Sequence, residues 1–298
     1  MLENKRTRAH LLLLLTAIIW GSAFVFQKFA TEELPGWFIT AARFSIAAVV
    51  LWVITYKKWG RLDKGYLLGG IITGLTMGTA TAVQTVALAM GTTPGKSAFL
   101  TAVYCVIVPF FYWFVSKERP QRNHVIAAIF CLAGIGLISL NGDMTMLPGD
   151  VVTLVCGVIY ACDLTAVAWF SKGRDPILLT TMQITFSAVI GWIGTLLTNG
   201  MPETVSMGAM GNVMYLALLS TALCLFLQAY GLKHTDAAVG TILLSLESVF
   251  GVVFSVLLYH EEVTPRMAVG FAVVFVAVLM SQFRYEPKKK TEKSAQTS

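Results

Sequence analysis

The chain has 298 residues, of which 56% are hydrophobic and only 13% are charged, and its mean hydropathy is +0.72. Soluble domains carry about 25% charged residues, so a soluble fold of this length could not cover so much apolar surface. The formal net charge of +6 does not indicate nucleic-acid binding, because basic and acidic loops alternate along the chain instead of forming one basic patch.

Ten apolar segments of membrane-spanning length follow one another. Each is close to the ~20 residues that a helix needs to cross about 30 Å of hydrocarbon, and backbone amides in lipid must bond within such a helix. The predicted spans are 9–30, 36–56, 66–90, 94–115, 123–140, 149–170, 176–198, 208–231, 237–258 and 265–283. The first resembles a signal peptide, but its apolar stretch is too long and nine spans follow, so we interpret it as an uncleaved helix.

Lys and Arg crowd every second predicted loop, a bias that is typical of cytoplasmic loops. The basic loops contain Lys5, Arg6, Arg8, Lys57, Lys58, Arg61, Lys64, Lys117, Arg119, Arg122, Lys172, Arg174 and Lys233, and the loops between them contain Glu32, Glu33, Asp143, Asp150, Glu203, Glu261 and Glu262. The sequence therefore predicts cytoplasmic termini, an even number of spans, and a basic cytoplasmic tail at 286–298. The short loops leave no room for a soluble catalytic or nucleotide-binding domain.

The two halves of the chain carry matching residues at a nearly constant offset. The matching pairs are Trp52 with Trp192 and Arg43 with Gln183, 140 apart, and Gln84 with Gln228 and Glu118 with Glu262, 144 apart. Five spans per half is an odd number, which places the second half upside down, as in many secondary transporters with a midplane site. The predicted fold is an all-α integral membrane protein whose ten transmembrane helices form two inverted five-helix repeats, residues 1–145 and 146–285.

Polar side chains within the apolar spans are the candidate site residues, because such groups need a partner or a water-lined cavity. Glu247, near the centre of the ninth span, is either a substrate or protonation site or a carboxyl that pairs with Arg43 or a helix terminus. Asp163 faces a cavity or reaches cytoplasmic water. Arg43 is predicted to form a structural ion pair or to reach water, with a substrate ligand as the alternative. Gln84 and Gln228 line a gate or cavity rim, or join helices by hydrogen bonds.

No metal, cofactor or catalytic motif is predicted. All five cysteines lie inside spans and none has the CxxC spacing of a metal site. The segment 91–97 resembles a phosphate-binding loop, but it has three residues between its glycines where that motif has four, and it joins two membrane helices. The sequence therefore does not predict an enzyme.

Short motifs across nearly the whole chain resemble the EamA-type family of the drug/metabolite transporter superfamily. They are Ala17 to Ser22, Ala42-Arg43-Phe44, Gln84 to Leu88, Ala98 to Thr101, Pro109, Lys117 to Pro120, Leu246-Glu247-Ser248 and His260-Glu261-Glu262. The resemblance implies ten helices, cytoplasmic termini, a central cavity to which Trp20 contributes, and export of amino acids or other small metabolites. The family has Leu-Glu-Pro where this chain has Leu246-Glu247-Ser248, so we expect a less kinked ninth helix.

The sequence thus predicts a secondary active or facilitative transporter that exports small metabolites by alternating access. It is expected in the cell membrane, as a monomer or a homodimer, with a small-molecule substrate and protons as candidate partners and no nucleic acid. The predicted cavity residues are Trp20, Gln84, Tyr104, Tyr160, Asp163, Gln228 and Glu247, with Glu247 as the coupling candidate. The alternative is a lipid-linked carrier flippase or a membrane scaffold without a small-molecule cavity.

Overall fold

A computed structural model describes residues 2–117, 119–140, 146–235 and 237–282. Within these ranges the chain is almost entirely helical, with ten helices long and apolar enough to cross a membrane and a single isolated β-bridge between Leu140 and Met146. This confirms the predicted all-α, ten-helix membrane fold, whereas the inversion of the two halves stays a prediction. Glu118, Asp143 and the predicted tail at 286–298 lie outside the described residues.

Six of the ten spans are single α-helices and four are composite, one of them because the second span ends in a 3₁₀-helix (Tyr56–Arg61). The α-helices are α1 (Leu2–Thr31), α2 (Gly36–Thr55), α3 (Lys64–Ala89), α4 (Pro94–Thr101), α5 (Val103–Ser116), α6 (Arg122–Ser139), α7 (Pro148–Phe170), α8 (Pro176–Leu197), α9 (Met207–Met214), α10 (Cys224–Lys233), α11 (Ala237–Phe254) and α12 (Pro265–Gln282). The fourth span joins α4 to α5, the eighth joins α9 to α10 through a π-helix (Tyr215–Leu223), and the ninth extends α11 by a π-helix (Ser255–Tyr259). α11 is unbroken through Glu247 and Ser248.

The fourth span breaks at Ala102, where the amide of Cys105 donates to Ala102 O over three residues (3.0 Å). Further along, Pro109 lies inside α5 and has no N–H to donate to the carbonyl of Cys105. The hydroxyl of Ser281 on α12 lies 3.3 Å from that carbonyl and shares its proton between it and Val278 O, 2.7 Å away. The break divides the span into α4, which packs mainly against α11, and α5, which packs mainly against α7.

The largest helix interfaces all join one half of the chain to the other. α1 packs against α10 and α11, and α7 correspondingly packs against α3, α4 and α5. The α3–α8 interface corresponds to the interface between α2 and the π-helix of the eighth span, and the α2–α8 and α6–α12 interfaces each correspond to themselves. Exchanging the halves therefore converts this set of contacts into itself.

The fourth and ninth spans end in similar caps. Lys117 and His260 both have the left-handed conformation, with φ of 63° and 56°, and lie 143 residues apart. An offset of 143 would pair Glu118 with Glu261 instead of Glu262, so the pairing found in the sequence stays a prediction.

The two ends of the bundle differ in charge, and we name them accordingly. The end at which α1 begins, the basic end, carries Arg8, Lys58, Lys172 and Arg174, and the end at which α1 ends, the acidic end, carries Glu32, Asp150 and Glu261.

An ion pair joins the two halves at the basic end. Lys58 donates to Asp175, with Nζ 2.6 Å from Oδ2. Asp175 also caps α8 by accepting from the amides of Ile177 and Leu178. Partial burial raises the pKa of Asp175, but the hydrogen bonds from Lys58 and from the α8 amides outweigh burial, so the pKa lies below its ordinary value. The carboxyl group is therefore ionised at neutral pH.

Close helix packing predicts that replacing Gly191 by a larger residue destabilises the protein. A Cβ at Gly191 would lie 2.7 Å from the backbone N and Cα of Ala41, in the α2–α8 interface. Overpacking costs about 1–3 kcal/mol where side chains can move, and here the obstacle is backbone, so Gly191→Leu should lower the melting temperature in detergent. Gly211→Leu is the control, because a Cβ there has no neighbour within 4 Å. Equal melting temperatures for the two variants would contradict the described interface.

Candidate functional site

A polar corner forms where α1 and α2 meet the π-helix of the eighth span. The indole nitrogen of Trp20 donates to Ser220 O at 2.8 Å. Arg43 donates from Nε to Thr221 Oγ1 at 2.7 Å and from Nη2 to Ser220 Oγ at 3.2 Å. The hydroxyl of Thr221 in turn donates to Leu216 O, five residues earlier, which is the spacing of the π-helix. Ser220 thus brings together two residues that the sequence singled out separately.

Arg43 has no carboxylate partner within the described part of the chain, so the predicted structural ion pair is replaced by neutral contacts. Its third hydrogen bond runs from Nη1 to Gln27 Oε1 at 3.4 Å. A guanidinium has five N–H donors, and these contacts to Gln27, Ser220 and Thr221 use three. The half-buried cation therefore keeps two donors and an uncompensated charge.

A chain of buried amides and hydroxyls continues from Arg43 towards the acidic end. Gln27 on α1 donates to Thr85 Oγ1 at 2.7 Å and to Gln84 Oε1 at 3.4 Å on α3. Gln84 donates to Thr101 Oγ1 on α4 at 3.1 Å. Gln84 is only 6% exposed. Of the two alternatives given for it, a cavity rim or hydrogen bonds between helices, its contacts fit the second.

Two tyrosines from different halves form an aromatic wall near the middle of the bundle. Tyr104 on α5 and Tyr160 on α7 are both half-buried, and their ring centroids are 6.2 Å apart. The hydroxyl of Tyr160 is 2.9 Å from Thr81 Oγ1 on α3. The structure therefore brings together two of the predicted cavity residues.

Glu247 lies half-buried in the middle of α11 and makes no hydrogen bond or ion pair with any residue that the structure describes. Its electrostatic neighbours include Tyr104 on α5 and Cys224 on α10, and Cys224 is also an electrostatic neighbour of Arg43. The carboxyl group and the guanidinium are therefore near the same interior residues and do not contact each other. We call the interior region around Trp20, Arg43, Tyr104, Tyr160, Cys224 and Glu247 the chamber, in which Cys224 is fully buried.

Asp163 and Gln228 have different surroundings. Asp163 is 3% exposed and accepts from Thr76 Oγ1 at 2.8 Å and from Gln183 Nε2 at 3.0 Å. It therefore joins α3, α7 and α8 in a helix interface that is closed to water. Gln228 is half-buried one turn beyond Cys224, on the same face of α10, and makes no side-chain hydrogen bond with the described residues.

A buried carboxylate from the second half, Glu261, holds the acidic end of the fourth span. Glu261 is 7% exposed and accepts from the amide of Gly95 at 2.8 Å and from Thr93 Oγ1 at 2.5 Å. Ser255 donates a further hydrogen bond to it. Glu261 thus caps the first turn of α4 from outside the helix, which is where backbone amides attract a negative charge.

A second buried carboxylate, Asp150 at the start of α7, contacts the same segment. It is fully buried, accepts from Thr92 Oγ1 at 3.0 Å, and pairs with Lys96 Nζ at 3.2 Å. Residues 92–96 of the first half are therefore held by two carboxylates of the second half. We call these contacts the acidic-end clasp. In the sequence, Asp150 stands out only as a loop charge, and Glu261 only as a loop charge and a member of the His260-Glu261-Glu262 motif, because capping across the two halves leaves no local signal.

Within the described residues, no group of three or more His, Cys, Asp or Glu side chains is placed to hold a metal ion. Each of the five cysteines is a free thiol, and Cys162 alone among them is exposed. The arrangement of charges and aromatic rings in the chamber is suited to binding a small molecule.

Comparison with known proteins identifies a transporter family. The model of the EamA-like transporter family matches residues 7–140 and 147–283. An uncharacterized transporter from Archaeoglobus fulgidus is 28% identical over 94% of this chain and 87% of its own length, and the uncharacterized transporter YoaV from Bacillus subtilis is 22% identical over 91% and 96%. A crystal structure with 17% identity covers 90% of this chain and 94% of its own, with a TM-score of 0.64, and supports the fold alone.

The difference in burial between Glu247 and Asp163 predicts different thiol reactivity. In a cysteine-free background, Glu247→Cys should react readily with a water-soluble maleimide, because its position borders the chamber. Asp163→Cys should react much more slowly, because the site must first open. Labelling is measured by mass spectrometry of the intact protein, with Glu262→Cys, at an exposed loop position, as the reference. Equal rates at the two positions would contradict the assignment of Asp163 to a closed helix interface.

Proposed function

Because the chain belongs to the EamA-like transporter family, we propose that it is a secondary active or facilitative transporter of small metabolites that carry both charges, such as amino acids, and that it exports them by alternating access. The observation that carries this proposal is the pair of uncompensated opposite charges, Arg43 and Glu247, in one chamber. The chain is a multi-pass membrane protein, and we place it in the cell membrane with its basic end and both termini in the cytoplasm, because Lys and Arg collect on that side.

The charges of the chamber support a zwitterionic ligand. Arg43 keeps two N–H donors, a geometry that fits a carboxylate, and Glu247 offers an acceptor for an ammonium group. A charge removed from water without a partner is costly, so a ligand that supplies both partners is favoured over an uncharged one. Trp20, Tyr104 and Tyr160 provide aromatic faces for the apolar part of the ligand and for its ammonium group.

The helix contacts support an inverted repeat that rocks around the chamber. The largest interfaces are all between halves and are interchanged when the halves are exchanged, which is the arrangement expected for alternating access around a fixed site. In the described state the acidic-end clasp and the Gln27–Gln84 chain close the path to that end. α4 packs against α11 there, whereas the main partners of α5 are α7, α12 and α6, so we assign the opening to the basic end.

Glu247 is the candidate for proton coupling, since it has no partner among the described residues. Glu247→Gln should abolish the response of transport to an imposed pH gradient, because an amide cannot exchange the proton. Proteoliposomes loaded with an isotope-labelled mixture of standard amino acids, read by mass spectrometry, measure this. Glu262→Gln, at an exposed loop position, is the matched control. A wild-type rate and pH response in Glu247→Gln would rule out the coupling role.

Opening of the acidic end requires the clasp to break. Hydrogen bonds to a charged group contribute about 1.5–3 kcal/mol, and 1.4 kcal/mol corresponds to a factor of ten in a two-state equilibrium. Glu261→Ala should therefore raise the population open to the acidic end by roughly tenfold. The readout is the labelling of a single cysteine, Tyr104→Cys, by an impermeant reagent applied from that side.

Glu262→Ala serves as the control for this experiment, since Glu262 is the exposed neighbour of Glu261. The elution profile of each variant in detergent identifies any that fail to fold. Unchanged labelling in a folded Glu261→Ala variant would show that the clasp does not govern access.

A further inference from the structure

An apolar groove runs along the outer surface of the bundle between α5 and α7, in the half nearer the basic end. Its volume is about 560 Å³, which lies within the ~300–1,000 Å³ typical of small-ligand sites. Its lining residues are Phe111, Phe114, Val115, Cys162, Thr165, Ala166, Trp169 and Phe170. Several of them, including Phe114 and Trp169, are strongly exposed, so the groove opens towards the surrounding lipid and is separate from the chamber.

The groove extends over about one leaflet. Cys162 and Phe170 mark its two ends on α7, and eight residues of helix rise about 12 Å, compared with about 15 Å for half of a typical hydrocarbon core. Both helices end beside it, α5 at Ser116 and α7 at Phe170. The end of the groove at Trp169 and Phe170 therefore lies at the level of lipid headgroups.

A positive charge is fixed at that end of the groove. The ammonium of Lys172 lies 4.9 Å from the ring centroid of Trp169 on one wall and 5.9 Å from that of Tyr112 on the other helix. Lys172 is exposed and has no carboxylate partner among the described residues. Arg174 is different, because its Nη1 donates to Phe170 O at 2.8 Å. The Lys172 ammonium is thus held by both helices and is available to an anion.

We propose that this groove binds an anionic phospholipid, with an acyl chain between α5 and α7 and the headgroup phosphate on Lys172. Charge complementarity favours this occupant, because an apolar slot that ends in an unpaired cation matches the two parts of an anionic lipid. A neutral lipid would fill the slot and leave the cation unpaired, and a second copy of the chain would have to bring an acidic group to Lys172. The basic character of this end of the bundle adds to the attraction.

Lipid retention on the purified full-length chain tests the proposal. Native mass spectrometry with phosphatidylglycerol and phosphatidylcholine should show preferential retention of phosphatidylglycerol. Lys172→Gln should weaken that preference by roughly fivefold, the contribution of one basic residue near a membrane surface. Lys57→Gln is the matched control, because Lys57 also lies over a ring, 5.6 Å from that of Tyr56, but on a different span. Equal retention of the two lipids, or an unchanged preference in Lys172→Gln, overturns the proposal.

The reactivity of Cys162 detects binding of the acyl chain independently of the charge on Lys172. Alkylation of Cys162, quantified on its peptide, should slow when phosphatidylglycerol is added and change little with phosphatidylcholine. Ala166→Trp, which fills the groove, should remove the protection by phosphatidylglycerol while leaving Lys172 in place. Protection of Cys162 that rises with protein concentration, together with a dimer mass that Ala166→Trp abolishes, would instead identify a second copy as the occupant and overturn the lipid assignment.

Discussion

Hydrocarbon provides no water to satisfy a polar side chain, and this constraint determines how the polar residues of the bundle are arranged. A polar group in a span is paired by another helix, held by a carboxylate at the end of the bundle, or left facing an interior space. Gln27, Gln84 and Asp163 are paired by other helices, and the Thr92–Lys96 segment is held by carboxylates. Glu247 faces the interior without a partner among the described residues, and Arg43 is only partly paired. These two residues therefore define where a ligand can be bound.

Corresponding positions in the two halves are surrounded by groups of different charge. Arg43 donates to the hydroxyl of Ser220. Its sequence counterpart Gln183 donates to the carboxylate of Asp163, which also accepts from Thr76, a residue that lies 144 positions before Ser220. One corner therefore holds a cation among neutral acceptors, and the other holds an anion among neutral donors. Only the first borders the chamber, so the duplicated frame carries a site that is not symmetric.

Apolar length, loop charge and motif order were sufficient to predict the ten helices and the family, because these depend on local composition. Trp20, Tyr104, Tyr160 and Glu247 lie around one interior region, and their role in binding a substrate stays a prediction. Arg43 forms no ion pair with a described residue, and Asp163 lies in a helix interface, and neither could be read from the sequence because each depends on which residues neighbouring helices present. Ser220 was missed since a π-helix shifts the register of side chains without a sequence signature, and Glu261 because its partners are about 166 residues away.

The contacts of the fourth span indicate which element moves in the proposed cycle. α5 is tied to α12 through Ser281 and the free carbonyl of Cys105, and it packs against α7. α4 begins in the clasp, and the helix breaks between the two at Ala102. Both carboxylates of the clasp bind residues 92–96, around the start of α4, so their release frees the first turn of α4 while the contacts of α5 stay in place. Movement of α4 about Ala102 would then open the acidic end. The aromatic wall of the chamber would keep its place, because Tyr104 lies on α5, which does not move.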